Sequence, residues 1–159
     1  MIVMPALCID LEEGSIHGGP EAGAPARAAV VFERSPAGEA ALREGAELAN
    51  GGRLLAVVAL APQARPARWV RSGGEGPYNA AIRDEAKLDL RFARELLGSV
   101  AGRATFILLA GCPQPPLAEW VAEHGMGIVL LPRHRFSRGG NLFARSLRRE
   151  TSAEVRLVR

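Results

Sequence analysis

From residue 28 onward the chain alternates between short runs of apolar residues and longer stretches with helical periodicity. Ala28–Phe32 is a continuous apolar run, the pattern of a strand covered on both faces. Ser35-Pro36 then marks a helix start, with a hydroxyl cap followed by proline at the first helical position. This helix is predicted to run to about Asn50, where Gly51-Gly52 stops it. Leu54–Leu60 reads as a second strand, and Pro62–Tyr78 as a long Pro/Gly-punctuated connection. A helix over Asn79–Leu97 follows, with Ile82, Ala86, Leu90, Ala93 and Leu97 on one stripe, ended by Gly98. Thr105–Leu109 is the third strand. A turn over Gly111–Pro116 leads to a helix carrying Leu117, Trp120, Val121 and His124. Ile128–Leu131 is the fourth strand. A polar loop, Pro132–Asn141, precedes a short helix with Leu142, Phe143 and Leu147, and Val155–Val158 reads as a fifth strand.

Strand and helix alternating in this way, with right-handed crossovers, predict a doubly wound α/β domain. Its sheet has five strands, mostly parallel, with helices on both faces. Ligands of such folds bind at the carboxyl ends of the strands, where the strand order reverses. Residues 1–27 read as a flexible extension and 28–159 as the domain. Within the extension Ile2–Leu11 suits a short strand, whereas Gly14–Ala26 has no periodicity.

Composition narrows the function classes. Hydrophobic residues make up 48% of the 159, enough for one continuous core, and no run approaches the length of a membrane span. The start of the chain lacks the basic and small-residue features of a signal peptide, so a cytoplasmic location is expected. The net charge is +3, but Lys87 is the only lysine. An arginine bias of that kind fits a GC-rich coding sequence better than selection for phosphate contacts. Aromatics amount to 5%, so the stacking platforms of a nucleic-acid binder are not expected. Cys8 and Cys112 have no metal-ligand or disulfide spacing, and His17, His124 and His134 make no ligand pair. No nucleophile–base pair is visible either, so no catalytic residue and no metal is assigned. Cys112, before a helix, is read as a small turn-filling residue ahead of a reactive thiol.

The order and texture of AAVVFERSPAGEAALREGAELANGGRLLAVVAL, GCPQPPLAEWVAEHG and AEVRLVR resemble the universal stress proteins over about four-fifths of the chain. The resemblance implies an adenine-nucleotide α-hydrolase-like, Rossmann-like fold and a regulatory or binding role in stress response. It implies a homodimer formed through the C-terminal strand at Val155, Leu157 and Val158, with a protein partner as a further expectation.

In nucleotide-binding members a Gly-x-x-Gly motif follows the fourth strand, and a later Gly-Ser or Gly-Thr completes the phosphate cradle. Glycines there let backbone N–H groups approach phosphate. On this sequence the first two glycines fall on Pro132 and Arg135. The resemblance places the nucleotide positions at Glu33, Arg34, Ala59, Arg133, His134, Gly139, Gly140 and Asn141. Glu33 stands for the usual aspartate, Arg34 reaches toward a phosphate, and a position near Ala59 contacts adenine by backbone. Gly139-Gly140-Asn141 offers a residual anion nest ahead of Leu142. Arg133, His134, Arg135 and Arg138 make a basic loop suited to an anion. The expectation is weak, altered or absent binding of ATP or another adenine nucleotide. The alternative is a nucleotide-handling enzyme of the same fold using Glu33 and the arginine loop.

Overall fold

The computed structural model describes residues 7–10, 26–64, 75–112, 114–133 and 138–159, with the backbone alone for 7–10, 75 and 138–141. The strands are β1 (Leu7–Asp10), β2 (Arg27–Val31), β3 (Leu54–Pro62), β4 (Ala104–Gly111), β5 (Ile128–Pro132) and β6 (Glu154–Val158). The helices are α1 (Pro36–Asn50), α2 (Glu75–Leu97), α3 (Leu117–Glu123) and α4 (Arg138–Glu150), with a 3-10 segment at Gly98–Arg103.

Among the described residues, one sheet holds all the strands, in the order β1-β4-β3-β2-β5-β6. β2 to β6 are parallel, the arrangement expected from the alternating pattern. β1 lies antiparallel against β4, with Leu7 opposite Ala110 and Asp10 opposite Ile107. It adds a sixth strand to the five expected, taken from the segment read as an extension.

The helix signals act as read. Ser35 caps α1, its Oγ accepting from the Gly38 N–H at 3.0 Å. Gly52 at φ 90° and Gly98 at φ 54° turn the chain out of α1 and α2 in conformations that β-carbons resist. α2 starts at Glu75, ahead of the expected Asn79. The Asn79 side-chain amide instead clamps Ala64, accepting from its N–H at 2.8 Å and donating to its carbonyl at 3.2 Å. α4 likewise starts earlier than expected, at Arg138, so Gly139, Gly140 and Asn141 lie inside its first turn rather than in a loop ahead of it.

Helices cover both faces. α1 and α2 pack on the face carrying Ala28, Val30, Phe32, Leu55, Val57 and Leu108. On the other, Trp120, Val121, Ala144 and Leu147 cover Ala29, Val31, Val58, Leu109 and Val129. Alternation along β2 and β3 sends successive side chains to opposite cores, which explains their unbroken apolar runs. The stripe on α2 is confirmed, with Ala86, Leu90, Ala93 and Leu97 buried and Ile82 packed at the margin.

Candidate functional site

The chain reverses its winding between β2 and β5. From β2 the order proceeds outward to β3 and β4 on one side and to β5 and β6 on the other. The crevice beyond the carboxyl ends of β2 and β5 is therefore the expected binding place. It is framed by the Glu33–Ser35 turn and the far ends of β3 and β5.

Backbone register decides which groups look into it. Successive residues of a parallel strand direct their N–H and C=O groups to alternate sides. Phe32 N donates to Val58 O at 2.8 Å and Leu54 N to Ala26 O at 3.1 Å, so even-numbered residues of β3 face β2. Odd-numbered ones face β4, as Gln63 N does in bonding Gly111 O at 2.7 Å. Ala59, paired with Leu108, therefore has its backbone turned to β4. β2 ends at Val31 opposite Val58, so the backbone that β3 offers to the crevice is that of Leu60. A strand's two sides cannot be told apart before its neighbours are known, so the sequence marks only a position near Ala59.

The same reasoning applies after β5. Gly127 O accepts from Glu154 N at 2.9 Å, and Arg133 N donates to Val158 O at 2.7 Å. Odd-numbered residues of this strand thus face β6, and even-numbered ones face β2 and the crevice. The position that would send an N–H into the crevice is Pro132, which has none and offers only a carbonyl. The next N–H, of Arg133, is already used in the β6 ladder. Arg133 itself is exposed. His134 and Arg135 lie outside the described residues, as do His17 and Trp69.

The Glu33–Ser35 turn is internally bonded. Ser35 Oγ donates to Glu33 Oε1 at 2.8 Å while accepting from Gly38 N, and Ser35 N donates to Glu33 O at 2.9 Å. Arg34 turns toward α2. Its Nε donates to Asp89 Oδ1 at 2.5 Å, and its terminal nitrogen forms an ion pair with Glu85. The Asp89 hydrogen bond and charge hold the Arg34 guanidinium above its ordinary pKa. Asp89 itself is raised above its ordinary value, because burial outweighs the favourable contact with Arg34, and Glu85 and Glu33 push in the same direction as burial. Arg34, read as reaching for a phosphate, thus has its charge shared between two carboxylates of α2.

The remaining candidates have local explanations. The His124 ring stacks on Trp120 with centroids 4.8 Å apart, and its Nδ1 lies 2.8 Å from Trp120 O. The His124 carbonyl accepts from Arg27 at 2.9 Å, fastening the end of α3 to the start of β2. Cys112 is exposed and unpaired with another cysteine. Among the described residues no cluster of His, Cys, Asp or Glu suits a metal ion, and no helix is long and apolar enough to cross a membrane.

The proposed interface residues on β6 do not share one face. Val155 and Leu157 pack toward α3 and α4, whereas Val158 packs toward α1. β6 is nevertheless an edge strand, with β5 on one side only.

No family model matches the chain, and no curated protein matches it. Solved structures do. A universal stress protein family member from Burkholderia pseudomallei superposes with a TM-score of 0.65 at 17% identity, covering 84% of this chain and 95% of that one. UspA from Lactobacillus plantarum gives 0.63 at 15% identity, covering 84% and 97%. The Archaeoglobus fulgidus universal stress protein, solved in complex with dAMP, gives 0.57 at 19% identity, covering 86% and 98%. Over most of its length, this chain has the fold of the universal stress proteins.

Proposed function

We infer that this chain is a regulatory or partner-binding protein of the universal-stress-protein type. It works as a cytoplasmic homodimer, and its crevice holds adenine nucleotides weakly or not at all. The fold likeness supports the type, and fold alone does not carry ligand binding along with it. The observation carrying the nucleotide reading is the backbone at the end of β5. Pro132 stands at the register position facing the crevice without an N–H, and the Arg133 N–H bonds Val158 O. A phosphate cradle is made of converging N–H groups, and here the first two positions contribute none. The engagement of Arg34 by Glu85 and Asp89 supports the same reading, since a phosphate would have to compete with two carboxylates.

Two structural neighbours, solved with dAMP and with cAMP, hold adenine nucleotides on this scaffold. The comparison defines the test. Thermal shifts of the wild type, Arg133→Ala and Gly140→Ala are measured with ATP, ADP and AMP, alongside analysis of co-purified ligands. A ligand binding only the folded state raises Tm by mass action. No nucleotide-dependent shift is expected in any of the three proteins. A shift in the wild type that both variants lose would replace this reading with an arginine-compensated nucleotide site.

A further inference from the structure

The two edges of the parallel array are built differently. At β6, Glu154, Arg156 and Arg159 place charge along the strand, and Arg148 donates to the Val155 carbonyl at 2.9 Å. Charges of this kind discourage pairing with another chain. β4 has no such device. Its residues, Ala104 to Gly111, include no charged side chain and no proline, and those from Phe106 to Ala110 are buried. An edge of this composition is a template for a further strand, and β1 is the strand that occupies it.

Register shows which groups β1 covers. Gln63 N bonds Gly111 O, so odd-numbered residues of β4 face β3 and even-numbered ones face outward. Leu7 and Ile9, opposite Ala110 and Leu108, are therefore the residues whose backbone bonds β4. Cys8 and Asp10 stand at the intervening positions. The described ladder ends with Asp10 opposite Ile107, whereas β4 itself begins at Ala104.

Deepening the partner-binding reading above, on which this rests, we propose that the outer edge of β4 docks an extended segment of a partner protein and that β1 is its resident competitor. The partner strand runs antiparallel to β4. It carries apolar residues at the two bonded positions, as β1 does with Leu7 and Ile9, and has no proline at either. Two bonded pairs hold β1, each bond of modest net worth, against the cost of ordering the strand. A partner strand that continues opposite Phe106 adds a third pair.

The same geometry disfavours a second copy. Its β1 makes the same bonds as the resident strand, which residues 11–26 tether at an effective concentration on the order of millimolar. Two β4 edges pairing antiparallel about Leu108 make fewer backbone bonds than the two β1 strands they displace. A longer segment of another protein is the occupant that gains on β1.

The test titrates the full chain, wild type and Ile9→Pro, with a fluorescein-labelled, C-terminally amidated peptide, Ala-Leu-Ser-Ile-Asp-Leu. This is the sequence of residues 6–11 with serine in place of Cys8. Proline at position 9 removes the N–H that bonds Leu108 O and opens the edge. By fluorescence anisotropy Ile9→Pro is expected to bind saturably, and the wild type at least tenfold more weakly. A peptide with proline in place of isoleucine is expected to bind neither. Far-UV circular dichroism checks that Ile9→Pro is folded. Amide hydrogen exchange of the wild type gives a second reading that needs no variant. The Leu108 and Ala110 N–H groups, which face β1, are expected to be protected at least tenfold less than those of Ile107 and Leu109, which face β3. Equal affinity of the two proteins, no binding to folded Ile9→Pro, or equal protection of the four amides overturns the proposal. Self-association of Ile9→Pro without peptide in sedimentation velocity assigns the edge to a second copy and overturns it as well. None of these outcomes touches the crevice, and the partner-binding reading fails separately, through the nucleotide-dependent Tm shift described above.

Discussion

Gly38 sits so close to the carbonyl oxygen of Glu33 that a β-carbon at that position would stand 2.0 Å from it. That oxygen also accepts the Ser35 N–H, so the backbone is fixed from two directions. Gly38→Ala must therefore push the first turn of α1 away from the Glu33 turn. The expected cost is about 1–3 kcal/mol, despite the better helix propensity of alanine. Urea denaturation measures it. Gly102→Ala, where an added β-carbon meets nothing within 4 Å, is the control and should stay within about 0.5 kcal/mol of wild type.

Ser35 joins the cap of α1 to the crevice by accepting from Gly38 N and donating to Glu33. Ser35→Ala is expected to cost about 1 kcal/mol of stability. Ser35→Thr keeps the hydroxyl and should restore most of it. Ser35→Asp keeps a capping oxygen but sets a second carboxylate against Glu33, so it should recover less than threonine. Chemical denaturation at neutral pH ranks the series, and a Ser35→Ala protein as stable as wild type would contradict the role given to this hydroxyl.

Asp89 gives a pH dependence with a definite sign. Its folded-state pKa is raised, because burial outweighs the Arg34 contact. A carboxyl raised on folding stabilises the native state below its ordinary value, and that contribution is lost as pH climbs through the raised value. The stability of the wild type relative to Asp89→Asn should therefore fall as pH rises from about 3 to about 6. Parallel thermal melts of the two proteins measure the difference and cancel the other titrating groups. A difference that grows with pH would mean that the Arg34 ion pair dominates burial.

Glu154 runs the other way. The Arg156 hydrogen bond holds its carboxyl below the ordinary value. The stabilisation is present above the ordinary value and is lost as pH falls through the lowered one. Arg156→Met should return the Glu154 carboxyl toward the ordinary range in a carbon-detected NMR titration. An unchanged Glu154 titration would show that the Arg156 contact is not made in solution.

Most of the fold was legible because it rests on local signals. Ser35-Pro36 and Gly51-Gly52 bracket α1, and the Ala86, Leu90, Ala93 and Leu97 stripe marks α2, whatever lies around them. The crevice was legible as a place, since a doubly wound sheet has one reversal of strand order. What each residue does there was less so. Ala59 and Leu60 differ only in which neighbouring strand their backbone meets, and Arg34 could not be matched to Glu85 and Asp89, more than fifty residues away. The early start of α4 was also hidden, because Gly139-Gly140 is a loop signal that a first helical turn tolerates. A short strand was expected within Ile2–Leu11, but the place of Leu7–Asp10 against β4 depends on a contact across the chain.

The central proposal is that the end of β5, at Pro132 and Arg133, offers no free N–H group to a nucleotide phosphate. Isothermal titration of the wild-type protein with ATP and magnesium tests it most directly. The account predicts no saturable binding, or a Kd weaker than about 1 mM. Saturable binding with a Kd in the micromolar range or tighter would contradict it.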